Sequence, residues 1–282
     1  MKKNISFYVP AYNAERTIKD SITSIQNQSI LPDEIILIDD CSIDKTVKIV
    51  KSEFSNVKII VNRQNMGLGY SRNLGIKESK NDIIAAIDAD VILDKYWMEK
   101  LIHEIEKKNV SMCGGKMDEY LLDNKINLWR AKYYSQNWGN KLVFNPPFLF
   151  GCNTILIKSL WNRVNGYDEK FKTNGEDINF IQKIKSQTDS QIIYQPEAKC
   201  FHLQDDNIES LSKRVWRYHS FGYKIKDPSF KKLINLSIKQ TKFFFQRFFR
   251  SLIKFDFSGI AISFKVFINF IKLEYIFLNK KK

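Results

Sequence analysis

Asp88-Ala89-Asp90 follows the apolar run IIAAI and sets two carboxylates two residues apart, with a small side chain between them. Hard divalent cations such as Mg²⁺ and Mn²⁺ take oxygen ligands, which a carboxylate pair in a short turn supplies. Two aspartates of an ordinary exposed turn would look the same. Three other polar clusters also close apolar runs: PAYN at 10–13, Asp39-Asp40, and NRQN at 62–65. Glu176-Asp177 stands behind Gly175 at the start of a helical pattern. Acidic residues favour helix N-termini, and a positioned carboxylate also accepts protons as a general base. His202 follows PEAKCF; a lone histidine is commonly structural, although neutral imidazole also suits Mn²⁺.

These residues need elements to hold them. ISFYVP, EIILID, VKIIV and DIIAAID are apolar runs separated by segments with helical spacing, such as Ile18, Ile22 and Ile25 or Val47, Val50 and Phe54. Strands without a polar face are buried on both sides, and their alternation with helices predicts an α/β fold with a mostly parallel sheet. Ligands of such sheets bind beyond the carboxyl ends of the strands. All four polar clusters of the first half fall there. A further strand is expected at NTILI, a helix from Ser159, and another over 177–185. The aromatic stretch at 115–150 has no clear period.

The chain has 282 residues, 44% hydrophobic and 27% charged, which suits an ordered protein with a real core. Its four cysteines lie far apart, neither a disulfide framework nor a zinc pattern, so a reducing cytoplasm is the default expectation. The start, MKKNISFYVP, lacks the apolar length of a signal peptide and reads as a first strand. The net charge of +14 is unevenly placed: residues 207–282 hold 17 Lys/Arg, 4 Asp/Glu and 13 of the 21 phenylalanines. The longest uncharged stretch from residue 230 on covers eight residues, 257–264, too few to span a bilayer. Lys239, Lys242, Gln246, Arg250, Lys254, Ser258, Ala261, Lys265, Asn269 and Lys272 recur at helical spacing. That pattern predicts basic amphipathic helices at 230–282 lying against an anionic membrane. Packing against the body is the alternative; no nucleic-acid motif accompanies the charge.

SFYVPAYN, EIILIDDCSIDKT, NMGLGYSRNLGI, IIAAIDADV and GYDEKFKTNGEDINF, in that order, resemble family 2 glycosyltransferases over about residues 4–206. The resemblance implies a GT-A fold, with a nucleotide-sugar half at about 1–114 and an acceptor half at 115–206; the basic helical tail from 207 lies beyond it. It implies inverting transfer from a nucleotide diphosphate sugar, with UDP first among the nucleotides, to a hydroxyl of a glycan or glycolipid in surface-polysaccharide assembly. It places Pro10, Tyr12, Asn13, Glu15, Asn65 and Gly67 at the nucleotide, Asp40 at a uracil-like base, and Arg72 against phosphate. Asp88, Ala89 and Asp90 then meet the diphosphate and its Mn²⁺ or Mg²⁺, with His202 as a further metal ligand. Asp177 becomes the general base, with Glu176 orienting the acceptor. Such an enzyme is expected peripherally on the inner face of the cell membrane. A polyprenyl-phosphate acceptor is the nearest alternative, since phosphate attack needs no strong base; a nucleotidyltransferase is a more distant one.

Overall fold

A computed structural model describes residues 4–106, 110–226 and 230–279. The lysines at 2–3 and 280–282, part of the expected basic ends, lie outside the described residues.

The Ile- and Val-rich runs form strands because their β-branched side chains suit a sheet covered on both faces. β1 (Ile5–Ala11) is buried at every position. β2 (Glu34–Asp39), β3 (Val57–Val61) and β4 (Ile83–Ile87) run parallel in the order β3-β2-β1-β4. α1 (Ile18–Gln26), α2 (Thr46–Glu53) and α3 (Leu68–Glu78) are the intervening helices. Successive residues of β1 serve different cores, as the two-residue strand period requires. Phe7 and Val9 join Ile18, Ile22 and Leu37 in one cluster; Tyr8 joins Ile36, Ile38 and Ile76 in the other.

Beyond β4 the sheet becomes mixed. β5 (Val91–Leu93), α4 (Trp97–Glu106), β6 (Val110–Glu119), α5 (Lys125–Tyr133), β7 (Val143–Phe144), β8 (Asn153–Ile157), α6 (Lys158–Arg163), α7 (Glu176–Gln187) and β9 (Gln191–His202) follow in sequence. Across the sheet the order continues β4-β8-β6-β9-β5, with β7 also on β9. β8 is antiparallel to β4 and β6, β5 is antiparallel to β9, and β6 and β9 are parallel. The parallel half carries the expected strand ends. The mixed half adds β6 and β9, whose last residues, Glu119 and His202, are register partners.

α8 (Ile208–Lys226), α9 (Phe230–Ile253) and α10 (Phe257–Asn279) complete the chain. Backbone packing separates two compact units. A sheet unit comprises residues up to Tyr120, Gln136–Lys172 and Glu176–Leu203; a helical unit comprises Leu121–Ser135, Thr173–Gly175 and the chain from Gln204 on. Within the helical unit Trp129, Leu211, Val215, Ile262, Val266 and Phe270 form a core. The basic stripe expected to run through 239–272 is therefore interrupted. Phe255 takes φ +52° between α9 and α10, and the Asp256 carboxylate accepts the Gly259 N–H at 2.7 Å to start a new helix. Asn269 is also drawn off the stripe, donating to Ser212 Oγ at 3.1 Å.

Candidate functional site

Within the sheet unit, the acidic motifs converge on the ends of β4, β6 and β9. Asp88 follows β4, and a turn closed by Val91 N–H on the Asp88 carbonyl (3.2 Å) leads into β5. The Asp90 carbonyl accepts the Leu203 N–H at 2.8 Å, tying this turn to the end of β9. Here His202 lies buried between two carboxylates, with Nε2 3.3 Å from Asp90 Oδ2 and Nδ1 3.1 Å from Glu119 Oε2. Ionised carboxylates only accept, so Nδ1 carries a proton toward Glu119. Burial opposes charge on the ring, but Asp90 and Glu119 outweigh it and push the pKa up to about 9.

Arg72 lies deeper than its expected role suggests. The guanidinium expected to face phosphate is only 1% exposed, and each of its three nitrogens makes a hydrogen bond. Nη2 meets Asp88 Oδ1 at 3.0 Å, Nε meets Glu176 Oε1 at 3.2 Å, and Nη1 donates to the Gly151 carbonyl at 2.8 Å. A buried guanidinium is tolerable only when paired in this way. Arg72 thus joins the end of β4 to the start of α7. Glu176, expected to orient an acceptor, turns one oxygen to Arg72; its buried Oε2 makes no hydrogen bond. Burial and the neighbouring Asp177 charge raise its pKa, which Arg72 only partly offsets.

Asp177 sits in the first turn of α7, half-buried, with Oδ2 accepting the Gly151 N–H at 3.3 Å and Oδ1 the Ile178 N–H at 2.7 Å. Burial raises its pKa above the ordinary aspartate value, against the pull of Arg72. A Cβ on Gly151 would stand 3.1 Å from Arg72 Nη2 and 3.2 Å from Asp177 Cβ. Glycine is what lets these groups close together.

The strand ends of β1 and β2 form a second cluster. Asn13, at φ +53°, accepts the Ile43 N–H through Oδ1 at 2.9 Å, and Glu15 Oε2 accepts the Lys45 N–H at 3.0 Å. Both side chains expected at the nucleoside therefore fasten one loop to the other. Tyr12 is exposed beside them, while Pro10 is buried within β1. Asp40 is also committed: it accepts Asn62 Nδ2, Met66 N–H and Gly67 N–H, each at 2.8 Å. An aspartate has about four lone-pair sites, so one acceptor site remains. Gly67 takes φ +93°, and a Cβ there would meet Lys172 at 2.6 Å. Asn65 is exposed and Ala89 buried.

The expected metal trio is not assembled as three ligands. Among the described residues no group of three or more His, Cys, Asp or Glu side chains is gathered closely enough to hold an ion. Asp90 and His202 touch, but Arg72 holds Asp88 by opposite charge. The donor set still fits a hard cation in chemistry. Both aspartates are partly exposed, and His202 has the carboxylate-backed Nδ1 common to metal-binding histidines; a cation at its Nε2 would displace the proton that Asp90 favours there. Glu119 and Gly151 escaped the sequence reading. Glu119 is revealed only by strand pairing across 83 residues.

The mixed sheet flanked by helices is a GT-A-type α/β fold, as its likeness to solved structures shows. Staphylococcus aureus TarS 1–349 in complex with UDP-GlcNAc matches with TM-score 0.61 and 15% identity, over 95% of this chain and 92% of that one. Mannosyltransferase PcManGT from Pyrobaculum calidifontis, in complex with GDP-Man and Mn²⁺, matches with TM-score 0.60 and 15% identity, over 94% and 74%. At these identities the likeness is one of fold. Residues 6–164 match the family described as Glycosyl transferase family 2, and the chain belongs to that family. An uncharacterized glycosyltransferase of Haemophilus influenzae is 34% identical over 64% of this chain and 58% of its own length. The UDP-Glc:alpha-D-GlcNAc-diphosphoundecaprenol beta-1,3-glucosyltransferase of Escherichia coli is 29% identical over 54% and 59%. The chain thus spans a little under three fifths of each of these relatives.

Proposed function

We propose that the chain transfers a sugar from a nucleotide diphosphate, UDP foremost, to a hydroxyl of a glycan or glycolipid, with inversion at the anomeric carbon. The observation that carries this reading is the meeting of Asp88, Arg72, Glu176 and Asp177 around Gly151. It brings an acidic strand end and a half-buried carboxylate to one place. Asp88, Asp90 and His202 would hold Mn²⁺ or Mg²⁺, which stabilises the charge growing on a departing diphosphate. Asp177 takes the proton of the attacking hydroxyl. Its raised pKa makes it a stronger base than an exposed aspartate. Arg72 keeps Asp88 and the start of α7 in fixed relation, and the remaining acceptor site of Asp40 takes a base N–H.

A lipid-linked acceptor agrees with the diphosphoundecaprenol-linked substrate named for the E. coli relative. No described helix is long and apolar enough to cross a membrane. We therefore read the chain as meeting the inner face of an anionic membrane peripherally, through its C-terminal helices. The test is a binding screen of nucleotide sugars with and without Mn²⁺, followed by isolation of the product. Metal-dependent binding of a UDP-sugar and a product of inverted configuration support the reading. Release of pyrophosphate from a nucleoside triphosphate would replace it with nucleotidyl transfer.

A further inference from the structure

α9 and α10 pack together, with Phe244 and Phe267 stacked at 4.8 Å, and Ile262, Val266 and Phe270 are buried in the helical core. The outward side of α10 is another matter. Phe257 is 70% and Tyr275 67% exposed, and between them Phe264, Ile268 and Ile271 are exposed as well. Their spacings of seven, four, three and four residues align them on one face of a helix. The preceding turn adds Ile253 and Phe255, 78% and 79% exposed. Single exposed apolar residues are common on any protein, but an aligned set of this extent marks a contact surface.

Charge decides what covers it. Lys254, Lys265 and Lys272 are exposed on the same turn and helix. The acids nearby are committed: Asp256 is held by Lys132 at 3.1 Å and by the Gly259 N–H and Ser258 hydroxyl of α10, while Glu274 is buried. A second copy of this chain would bring like charge against like. An anionic bilayer satisfies both the cations and the apolar row, as interfacial helices do. The turn is also preformed, because Asp256 fixes the helix start directly behind Phe255.

We propose that the apolar stripe of α10 and the α9–α10 turn insert into the interfacial layer of an anionic bilayer, with Lys254, Lys265 and Lys272 over its headgroups. This deepens the peripheral-membrane reading and rests on it. It narrows the sequence expectation of basic amphipathic helices over 230–282 to one apolar stripe on α10 and the turn before it.

The full-length chain is mixed with vesicles of phosphatidylcholine, alone or with phosphatidylglycerol, at low and high salt. It is also sedimented without lipid. Binding is expected only to the anionic vesicles, weakened but not abolished by salt. The triple variant Phe264→Ser, Ile268→Ser, Ile271→Ser should bind about 100-fold more weakly, the size expected for three half-exposed apolar side chains. Ile253→Ser with Phe255→Ser should also weaken binding by about 100-fold, because these two side chains are more exposed than the three of the helix. Leu31→Ser, an exposed position of the sheet unit away from the strand-end clusters, should change nothing. Equal binding of parent and triple variant overturns the stripe as the inserting element while leaving peripheral attachment intact. Absence of binding by the parent overturns both. Self-association of the parent that the triple variant loses assigns the face to a second copy. Nucleotide binding, followed in parallel, stays with the parent in every variant and so separates this outcome from the fate of the catalytic reading.

Discussion

In the sheet unit one buried guanidinium, Arg72, lies among the carboxylates of Asp88 and Glu176, with Asp177 adjoining. In the helical unit the balance is inverted. Arg130 and Arg214 both converge on Asp206, and Arg247 lies over the rings of Tyr134, Trp129 and Phe243 at 4.8, 5.4 and 5.8 Å. Burial, reinforced by Arg247 and Lys239, drives the pKa of His219 down to about 4, so that ring stays neutral. Cations are thus accommodated on aromatic faces in one unit, while negative charge is concentrated in the other. A surplus of carboxylate at strand ends is the charge pattern that the proposed metal ion would need. A surplus of cation dispersed over rings holds helices together without creating a metal site.

Breaking each arrangement should have different consequences. The largest effect is expected for Asp90→Ala: metal-dependent transfer falls to background while the melting profile is kept, as does transfer by the parent in excess chelator. Undiminished product formation in chelator would remove the metal from the proposed reaction. In the helical unit, Arg130→Ala leaves Asp206 buried with less compensation and should cost about 3–5 kcal/mol, read by denaturant unfolding. A loss under about 1 kcal/mol would mean that Arg214 alone satisfies Asp206.

Asp177→Asn should lower turnover by about 10²-fold or more with donor affinity little changed. Turnover equal to the parent would exclude Asp177 as base and favour a phosphate nucleophile. Glu119→Gln keeps the shape but weakens the acceptor of His202 Nδ1–H; Mn²⁺ affinity in the presence of UDP should fall by about 10–100-fold. The electron paramagnetic resonance titration of free Mn²⁺ reads this directly, and an unchanged affinity would make Glu119 merely structural. The smallest effect concerns pH. Since burial raises the pKa of Asp177, its basic form is lost at a higher pH than for an exposed aspartate. The acid limb of the rate profile should accordingly lie above the usual aspartate range, and Asp177→Asn should abolish that limb.

The parallel half of the sheet was legible because its signals are local. The runs that become β1 to β4 contain little but Ile, Val, Leu, Ala and aromatic residues, and turn-forming residues close them. NTILI became β8 and the helix expected over 177–185 became α7. The mixed half was not legible: β6 reads VSMCGGKMDE and β9 QIIYQPEAKCFH, and neither reveals that it pairs with the other. The acidic motifs could be named from sequence, but their partners could not. Arg72 looked like a phosphate ligand because an arginine after a glycine-rich loop has that chemistry. Only the fold shows two carboxylates and a carbonyl reaching it first. In the tail, periodicity identified helices yet missed the break at Phe255, where one residue at positive φ ends the common face.

The two ends of the sheet have a consequence for how copies of this chain can meet. One outer strand, β5, is three residues long, and the other, β3, sets Lys58 outward and pairs it with Glu78 at 2.8 Å. A strand that short gives another backbone little to add to, and a charged outer strand discourages ladder growth. Association through open β-edges is blunted at both sides. Any self-assembly of this chain is therefore directed to side-chain surfaces, where a single polar substitution can abolish it, and away from the backbone, where it could not.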